Sequence, residues 1–309
     1  MKKALVAIFL FLVVPGQLFA ASLRVASTTS TENTGLFNYL LPIFEKKTGI
    51  TVQVIAVGTG AAIELGKRGD VDAVFVHAKE LELRALSGGF FVERREVMYN
   101  DFVLVGPPRD PARIAGSKTA PEALKKLAAS GQRFIGRGDN SGTHVKEKEL
   151  WAKAAIEPAK SRMFYMESGQ GMAKTLRIAN EKNAYALTDR GTFLFMKDEL
   201  DLKILFEKDP LLFNQYGVMA VNPARHPHVK IKEARVFIDW LTSKEGRRAI
   251  AAFKDKNGNR LFYPSSSHFL RVARSSSVNG TETVSASPVA CCITRHISVF
   301  TKPYESVKA

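Results

Sequence analysis

The sequence is poor in cysteine and in long apolar runs. Its only cysteines among 309 residues are the adjacent pair Cys291 and Cys292, and neighbouring cysteines rarely satisfy disulfide geometry, so we expect no structural disulfide. The apolar stretch Ala4 to Val14 is too short to cross a bilayer as a helix. With 45% hydrophobic and 24% charged residues, the composition excludes low-complexity and polytopic membrane proteins and predicts a soluble globular chain.

The two ends of the chain differ from its body. Lys2 and Lys3 precede the apolar stretch, and the small residues Ala20 and Ala21 follow it, which predicts a secretory signal peptide over residues 1–20, cleaved near Ala20 or Ala21. The protein is therefore expected to be exported. Residues 265–309 are rich in serine and lack helical periodicity, so they are predicted to form an anomalous, disordered tail.

The body alternates short β-rich runs with amphipathic stretches. Its first predicted strands are Leu23 to Ala26, Thr51 to Val57 and Val71 to Val76, separated by helical patterns. This βαβαβ order favours an α/β fold with a parallel sheet flanked by helices, in which ligands bind beyond the carboxyl ends of the strands. The loops that follow the strands are therefore the candidate binding segments.

Two further apolar runs divide the body. Val97 to Val105 and Tyr216 to Val221 are predicted strands, and a separate α/β set lies between them. We interpret them as two crossings between lobes, with lobe I formed by residues 21–106 plus 213–264 and lobe II by residues 107–212. Two crossings predict a double hinge and a cleft between the lobes.

The loops after the first two strands carry neutral hydrogen-bond donors. The candidate ligand-binding residues are Thr28, Thr29 and Ser30 in loop one, Ser27 to Thr31, and Gly58, Thr59 and Gly60 in loop two, Val57 to Gly60. Hydroxyls together with the backbone N–H groups of a helix start suit an anion. Taken singly, such a loop is more often an ordinary helix cap or βα turn. A P-loop is excluded, because no Lys-Ser/Thr pair follows the glycines.

Arginine joins the donors in the predicted second lobe. Candidate residues here are Arg137, Ser141, Gly142 and Thr143 in loop three, Gly136 to His144; Ser168 and Gly169 in loop four, Glu167 to Gly171; and Arg190 in the segment Thr188 to Thr192. Arg137 can offer paired charged donors to an oxyanion, with Asp139 holding its guanidinium. The alternative is a surface ion pair beside a capped helix.

Other classes of function fit the residues poorly. No Gly-x-Ser-x-Gly elbow is present, and the histidines show no metal-ligand spacing, so we expect neither catalysis nor a bound metal or cofactor. The net charge of +15 raises nucleic-acid binding as a possibility. Basic residues alternate with acidic ones, as in Lys146 to Glu149, and no aromatic stacking motif accompanies them, so no nucleic-acid partner is expected.

These motifs together resemble the tungstate-binding substrate-binding proteins of ABC importers, a branch of the type II periplasmic binding proteins. The resemblance rests on Thr28 to Ser30, Val57 to Gly60, Arg137 to His144 and Thr188 to Thr192, in that order, and covers nearly the whole body. It implies two lobes that close on a tetrahedral oxyanion without a metal or a covalent step. Ser27 stands where the family usually has threonine, and the tail has no counterpart in it.

The identity of the anion follows only in part from the residues. The Arg-x-Asp-x-Ser-Gly-Thr pattern also resembles that of phosphate-binding proteins. Phosphate keeps a proton near neutral pH and needs an acceptor, whereas tungstate, molybdate and sulfate need donors only, and loops one and two contain no Asp. The resemblance implies delivery of tungstate, with molybdate as a second candidate ligand, by a monomer to a membrane permease. Phosphate or sulfate binding, and more remotely an exported hydrolase, stay open as alternatives.

Overall fold

The computed structural model describes residues 21–158 and 163–265. The predicted signal peptide lies outside the described residues, and so does the predicted tail apart from Ser265. Cys291 and Cys292 fall in that part of the tail. Among the described helices, none is both long enough and apolar enough to cross a membrane.

Strands and helices alternate along the described chain. The strands are β1 (Ser22–Thr28), β2 (Thr51–Val57), β3 (Ala73–Val76), β4 (Phe91–Gly106), β5 (Phe134–Gly136), β6 (Tyr165–Glu167), β7 (Ala186–Asp189), β8 (Lys203–Phe206), β9 (Phe213–Val221) and β10 (Tyr263–Pro264). The α-helices are α1 (Thr29–Asn33), α2 (Leu36–Thr48), α3 (Thr59–Arg68), α4 (Lys79–Ser87), α5 (Ala120–Ser130), α6 (Gly142–Lys153), α7 (Met172–Glu181), α8 (Arg190–Met196), α9 (Ile231–Thr242) and α10 (Lys244–Ala252).

The first three strands form the predicted parallel unit. β1 pairs with β2 on one side and with β3 on the other, in parallel in both cases. Their carboxyl ends therefore lie at one edge of the sheet, and each is followed there by a helix start or a loop. Loops one and two and the segment after β3 are neighbours for this reason.

The rest of this sheet runs antiparallel, which the prediction of a parallel sheet did not include. The strand order is β10-β4-β9-β3-β1-β2, with β9 antiparallel to both β3 and β4. β4 follows β3 through the single helix α4, whereas β9 is reached only after a long excursion of the chain through residues 107–212. The hydrophobic pattern of a buried strand does not depend on its direction, so periodicity alone could not reveal this reversal.

β4 is long enough to serve two groups of strands. Its first part pairs with β9 and β10, and its end, Phe102 to Gly106, pairs with β7 and β8. β5 and β6 form a parallel pair, and Phe134 of β5 bridges to Tyr185 just before β7.

Buried apolar side chains are divided in the same way. Two clusters use residues from 23 to 98 and from 216 to 262, and two others use residues from 102 to 212. Leu194 of α8 packs against a cluster of each kind. The hydrophobic core therefore has two parts, joined where β4 and β9 run side by side; these two are called the crossing strands below.

One buried ion pair fixes α4 against β4. The Glu82 carboxyl is fully buried and accepts from Arg94 Nε at 2.8 Å and from the Ala78 backbone N–H at 2.9 Å. Burial raises the pKa of Glu82 to about 7, although both partners favour its charged form. The pair therefore holds the helix that begins just after β3.

Removing Arg94 should destabilise the folded protein. We expect Arg94→Met to lower the free energy of unfolding by about 3 kcal/mol near neutral pH, because the Glu82 charge loses its partner. Urea unfolding measures the change. In the double variant Arg94→Met/Glu82→Gln much of the loss should be recovered, and equal destabilisation of the single and double variants would contradict this account.

Candidate anion-binding site

Loop one gathers three buried hydroxyls. Thr28 has an extended backbone and caps α1, and its Oγ1 accepts from the Thr31 N–H at 3.3 Å. The same Oγ1 lies 3.0 Å from Ser30 Oγ and 2.7 Å from Thr31 Oγ1. The hydroxyls thus form one connected group at the carboxyl end of β1.

Loop two contacts loop three. Gly58 precedes α3 with an extended backbone, and Thr59 is fully buried. Thr59 Oγ1 accepts from the Gly142 N–H at the start of α6, at 3.1 Å. A Cβ added to Gly60 would lie 3.5 Å from the Asn140 carbonyl oxygen, so loop two and loop three are in close approach.

Loop three holds a buried arginine. Arg137 is 2% exposed; its Nε donates to the Gln170 carbonyl at 2.9 Å and its Nη2 to Asp139 Oδ2 at 2.5 Å. A guanidinium has five N–H donors. Within the described residues these two bonds leave three of them for a ligand or water. The predicted pairing of Arg137 with Asp139 is therefore present, with the arginine buried and the carboxylate partly exposed.

Asp139 also shapes the start of α6. Its Oδ1 accepts from the Ser141 N–H at 3.2 Å, so both carboxylate oxygens are engaged. Burial raises the pKa of Asp139, but the charge of Arg137 and the bonds from Ser141 and Arg137 outweigh it and hold that pKa below its ordinary value. The carboxylate is an acceptor for the protein's own donors.

The first turn of α6 supplies hydroxyls and N–H groups. Ser141 caps the helix, and its Oγ accepts from the His144 N–H at 3.3 Å. Thr143 is 1% exposed, and its hydroxyl has no hydrogen-bond partner among residues 21–158 and 163–265. An unpaired buried hydroxyl costs free energy unless a ligand or water pairs with it. Thr143 is thus the residue of this turn whose donor is available.

Glu147 supports loop three from behind. It accepts from the Arg137 backbone N–H at 3.2 Å and from the Tyr165 hydroxyl at 2.6 Å. A Cβ at Gly136 would come within 2.6 Å of the Glu147 carboxyl, which explains the glycine at this position. Burial raises the pKa of Glu147 to about 7, against the effect of these two donors.

His144 fixes the turn of loop three. Asn140 has a positive φ of 54°, and its N–H donates to His144 Nδ1 at 2.9 Å. Because Nδ1 accepts, the neutral ring carries its hydrogen on Nε2. Burial lowers the pKa of His144, and the charge of Lys148 adds to this, against Glu167 and Asp139. His144 therefore serves to hold the loop backbone.

Loop four lies against Arg137. The Gly169 N–H donates to the Arg137 carbonyl at 2.9 Å, with Gly169 at φ 62°. Ser168 Oγ lies 2.7 Å from Thr175 Oγ1 and 3.3 Å from the same carbonyl. A Cβ added to Gly171, the residue before α7, would be 3.8 Å from Thr29 Oγ1, so this loop also faces loop one.

Arg190 forms its hydrogen bonds with residues other than the candidate ligand residues. Its guanidinium donates twice to Asp101, at 2.6 Å each, and once to Glu207 at 2.6 Å. These bonds raise its pKa further. It lines a cavity of about 580 Å³ together with Tyr99 and Phe213. The structure thus brings together all predicted ligand residues except Arg190.

His77 was not among the predicted ligand residues. It follows β3 at the same edge as loops one and two, is 5% exposed and stacks on Tyr216 with ring centroids 4.7 Å apart. Its Nε2 lies 3.3 Å from Ser30 Oγ, and a Cβ at Gly142 would be 3.0 Å from its ring. Its place after the third parallel strand was the sequence signal that could have identified it.

The part of the chain that the structure describes contains no group of three or more His, Cys, Asp or Glu side chains placed to hold a metal ion. The converging groups are instead hydroxyls, helix-start N–H groups and one buried guanidinium. This chemistry suits an oxyanion that accepts hydrogen bonds.

Comparison with known proteins identifies the family. The model of the PBP superfamily domain matches residues 19–245, which is most of the chain. The chain belongs to the PBP superfamily. The predicted fold class, a two-lobed α/β binding-protein fold of type II with two connections between the lobes, is confirmed.

Other members of the PBP superfamily share much of this sequence. The tungstate-binding protein TupA of Peptoclostridium acidaminophilum is 44% identical over 248 residues, covering 79% of this chain and 85% of that protein. The crystal structure of the tungstate ABC transporter from Geobacter sulfurreducens has 53% identity and a TM-score of 0.70, covering 75% of this chain and 98% of that one. TupA from Desulfovibrio alaskensis G20 has 45% identity and a TM-score of 0.70, covering 80% and 100%. The family resemblance inferred from the loops is confirmed.

The Glu147→Gln substitution should show how ionisation of the buried Glu147 carboxyl changes the stability of the protein. The folded-state pKa, about 7, is above the ordinary 4.5, so the stability that Glu147 contributes is present below about pH 4.5 and is lost as the pH rises through 7. We expect the free energy of unfolding of the wild type, relative to Glu147→Gln, to fall by about 3 kcal/mol over that range.

Urea unfolding at several pH values measures this difference. Glu149→Gln is the matched control, because Glu149 lies on the same helix and is partly exposed beside Lys146. A difference between wild type and Glu147→Gln that does not vary with pH would contradict the prediction.

Proposed function

We propose that this protein binds tungstate in the periplasm and delivers it to the permease of an ABC importer. The observation that carries the proposal is the buried Arg137 guanidinium, which keeps three N–H donors beyond its bonds to Asp139 and Gln170. Relatives with 44% identity over 79% of this chain and 45% identity over 80% of it are named tungstate-binding proteins. A buried positive charge of this kind is stabilised by a bound anion.

The donors around Arg137 favour a fully deprotonated dianion. The proposed ligand residues are Thr28, Thr29, Ser30, Gly58, Thr59, Gly60, Arg137, Ser141, Gly142, Thr143, Ser168 and Gly169. Asp139 could serve as the acceptor that a protonated phosphate needs, but both its oxygens already accept from Arg137 and Ser141. Tungstate, molybdate and sulfate require no such acceptor. Arg190 is left out, because its bonds to Asp101 and Glu207 already satisfy it.

Binding is coupled to closure of two lobes in this proposal. The lobes are residues 21–106 plus 213–264 and residues 107–212. The division of the hydrophobic clusters supports them, except that Phe102 to Val105 pack with residues of the second lobe. Only a closed arrangement lets donors from both lobes reach one anion, as the Thr59–Gly142 bond between them illustrates. The crossing strands act as the hinge. We further propose a monomer without catalytic activity, exported by the segment 1–20.

A thermal-shift panel tests this function. Purified protein lacking residues 1–20 is heated with tungstate, molybdate, sulfate or phosphate, and an anion that binds only the folded state raises the melting temperature. We expect the largest rise with tungstate or molybdate. A rise with phosphate alone would replace tungstate by phosphate in the proposal, and no rise with any of the four would refute oxyanion binding.

Arg137→Ala should weaken tungstate binding by about 10- to 100-fold, because hydrogen bonds to a charged group contribute about 1.5–3 kcal/mol. Isothermal titration calorimetry measures the affinity. Arg177→Ala is the matched control, since Arg177 pairs with exposed Glu199 on the surface. Equal affinities of wild type and Arg137→Ala would remove Arg137 from the site.

A further inference from the structure

A chain of four buried polar side chains links loop one to the crossing strands. Ser30 Oγ lies 3.3 Å from His77 Nε2, and His77 Nδ1 lies 3.0 Å from Asn214 Oδ1. Asn214 Nδ2 lies 2.7 Å from Asn100 Oδ1. Each of the four residues is at most 5% exposed. Asn100 and Asn214 are also register partners, one on β4 and one on β9.

In the structure the hydrogen bonds of this chain run in one direction. Asn214 donates its amide hydrogen to Asn100, so its Oδ1 is left to accept from His77 Nδ1. A neutral imidazole that donates from Nδ1 accepts at Nε2, and Ser30 therefore donates to His77. The hydroxyl hydrogen of Ser30 is then used within the protein, and only oxygen lone pairs face a ligand.

The same positions of the heavy atoms permit the opposite direction. If both amide groups turn over, Asn100 Nδ2 donates to Asn214 Oδ1, and Asn214 Nδ2 donates to His77 Nδ1. His77 Nε2 then donates to Ser30 Oγ. In the first direction Asn100 Nδ2 is buried and has no partner among the described residues. The reversal pairs this donor with Asn214 and puts Asn100 Oδ1 in its former place, so each direction pairs one polar atom of the Asn100 amide.

We propose that His77 is a positioning residue for Ser30: anion binding selects the reversed direction, in which His77 donates from Nε2 to Ser30 Oγ and the Ser30 hydroxyl donates to the oxyanion. The inference rests on the proposed function. An oxyanion without protons can only accept, so it favours the direction that turns a hydrogen toward it. The ring loses the Nδ1 proton to water and gains one at Nε2 from water, which leaves the number of bound protons unchanged.

The surroundings of His77 favour a neutral ring. Burial lowers the pKa of His77; the charge of Asp189 before α8 and the bond to Asn214 oppose this effect, and the charge of Arg137 adds to it. The ring of His77 stacks on Tyr216 of β9, with centroids 4.7 Å apart, and lies near Phe102 of β4, with centroids 6.3 Å apart. A change of tautomer therefore reverses the chain without placing a second positive charge beside Arg137.

Nuclear magnetic resonance of the imidazole nitrogens tests this directly. Protein with ¹⁵N-labelled histidine is recorded free and with saturating tungstate, and the His77 signals are assigned as those missing from His77→Gln. We expect His77 to be protonated at Nδ1 in the free protein and at Nε2 in the complex. His144, whose Nδ1 accepts from Asn140, should keep its Nε2 proton in both states and is the internal reference.

The outcomes separate this inference from the proposed function. If wild type shows neither a thermal shift nor a calorimetric signal with tungstate, the proposed function fails. If it binds tungstate but Nε2 of His77 carries no proton in the complex, the inference alone is overturned. A complex in which both ring nitrogens are protonated would keep Nδ1 donating to Asn214, so it would also overturn the reversal.

Variants of His77 give an independent measurement. Gln can donate from its amide nitrogen to Ser30, so His77→Gln should keep tungstate affinity within about 3-fold, whereas His77→Leu should lose about 10-fold, the effect of roughly one hydrogen bond. His226→Gln is the matched control, because His226 bonds the Lys67 carbonyl and takes no part in this series of hydrogen bonds. Equal affinities for His77→Leu and His77→Gln would contradict the proposal.

Discussion

The buried positive charge of Arg137 is the constraint on which the site depends. Moving an isolated charge out of water costs many kcal/mol, so its surroundings must supply acceptors. Asp139 and the Gln170 carbonyl do so for the guanidinium, while Glu147 and Gly169 bind the backbone of the same residue. Loops three and four are therefore arranged around one side chain, and an anion at its remaining donors would complete the compensation.

The crossing strands connect this site to the rest of the fold. β4 contributes to the hydrophobic clusters on both sides of the division, through Met98 on one side and Phe102 on the other. Between these two residues lies Asn100, which meets Asn214 of β9. Polar groups thus replace apolar packing where the core is interrupted. Because they are paired with each other and with His77, they link the geometry of the crossing to loop one.

Local patterns in the sequence predicted much of this structure. They could not predict contacts between residues that are far apart in the sequence. The parallel strands β1 to β3, and loops with hydroxyls and glycines at their carboxyl ends, follow from periodicity and turn residues. The direction of β9 depends on its pairing with β3, which is far away in the sequence, and Asp101, which binds Arg190 twice, is 89 positions from it. His77 was missed for a similar reason: its role depends on Asn214, which is 137 positions away.

Charge alone cannot explain a choice among oxyanions in such a site. Tungstate, molybdate and sulfate are all dianions, so Arg137 attracts each of them through the same interaction. Direction of hydrogen bonding adds a criterion that charge does not: an anion that carries a proton must find an acceptor, and one without protons must find only donors. With Asp139 engaged by Arg137 and Ser141, the Ser30 hydroxyl becomes a group whose hydrogen can still point either way. The orientation of two buried amides therefore decides whether loop one offers an anion a hydrogen atom or a lone pair.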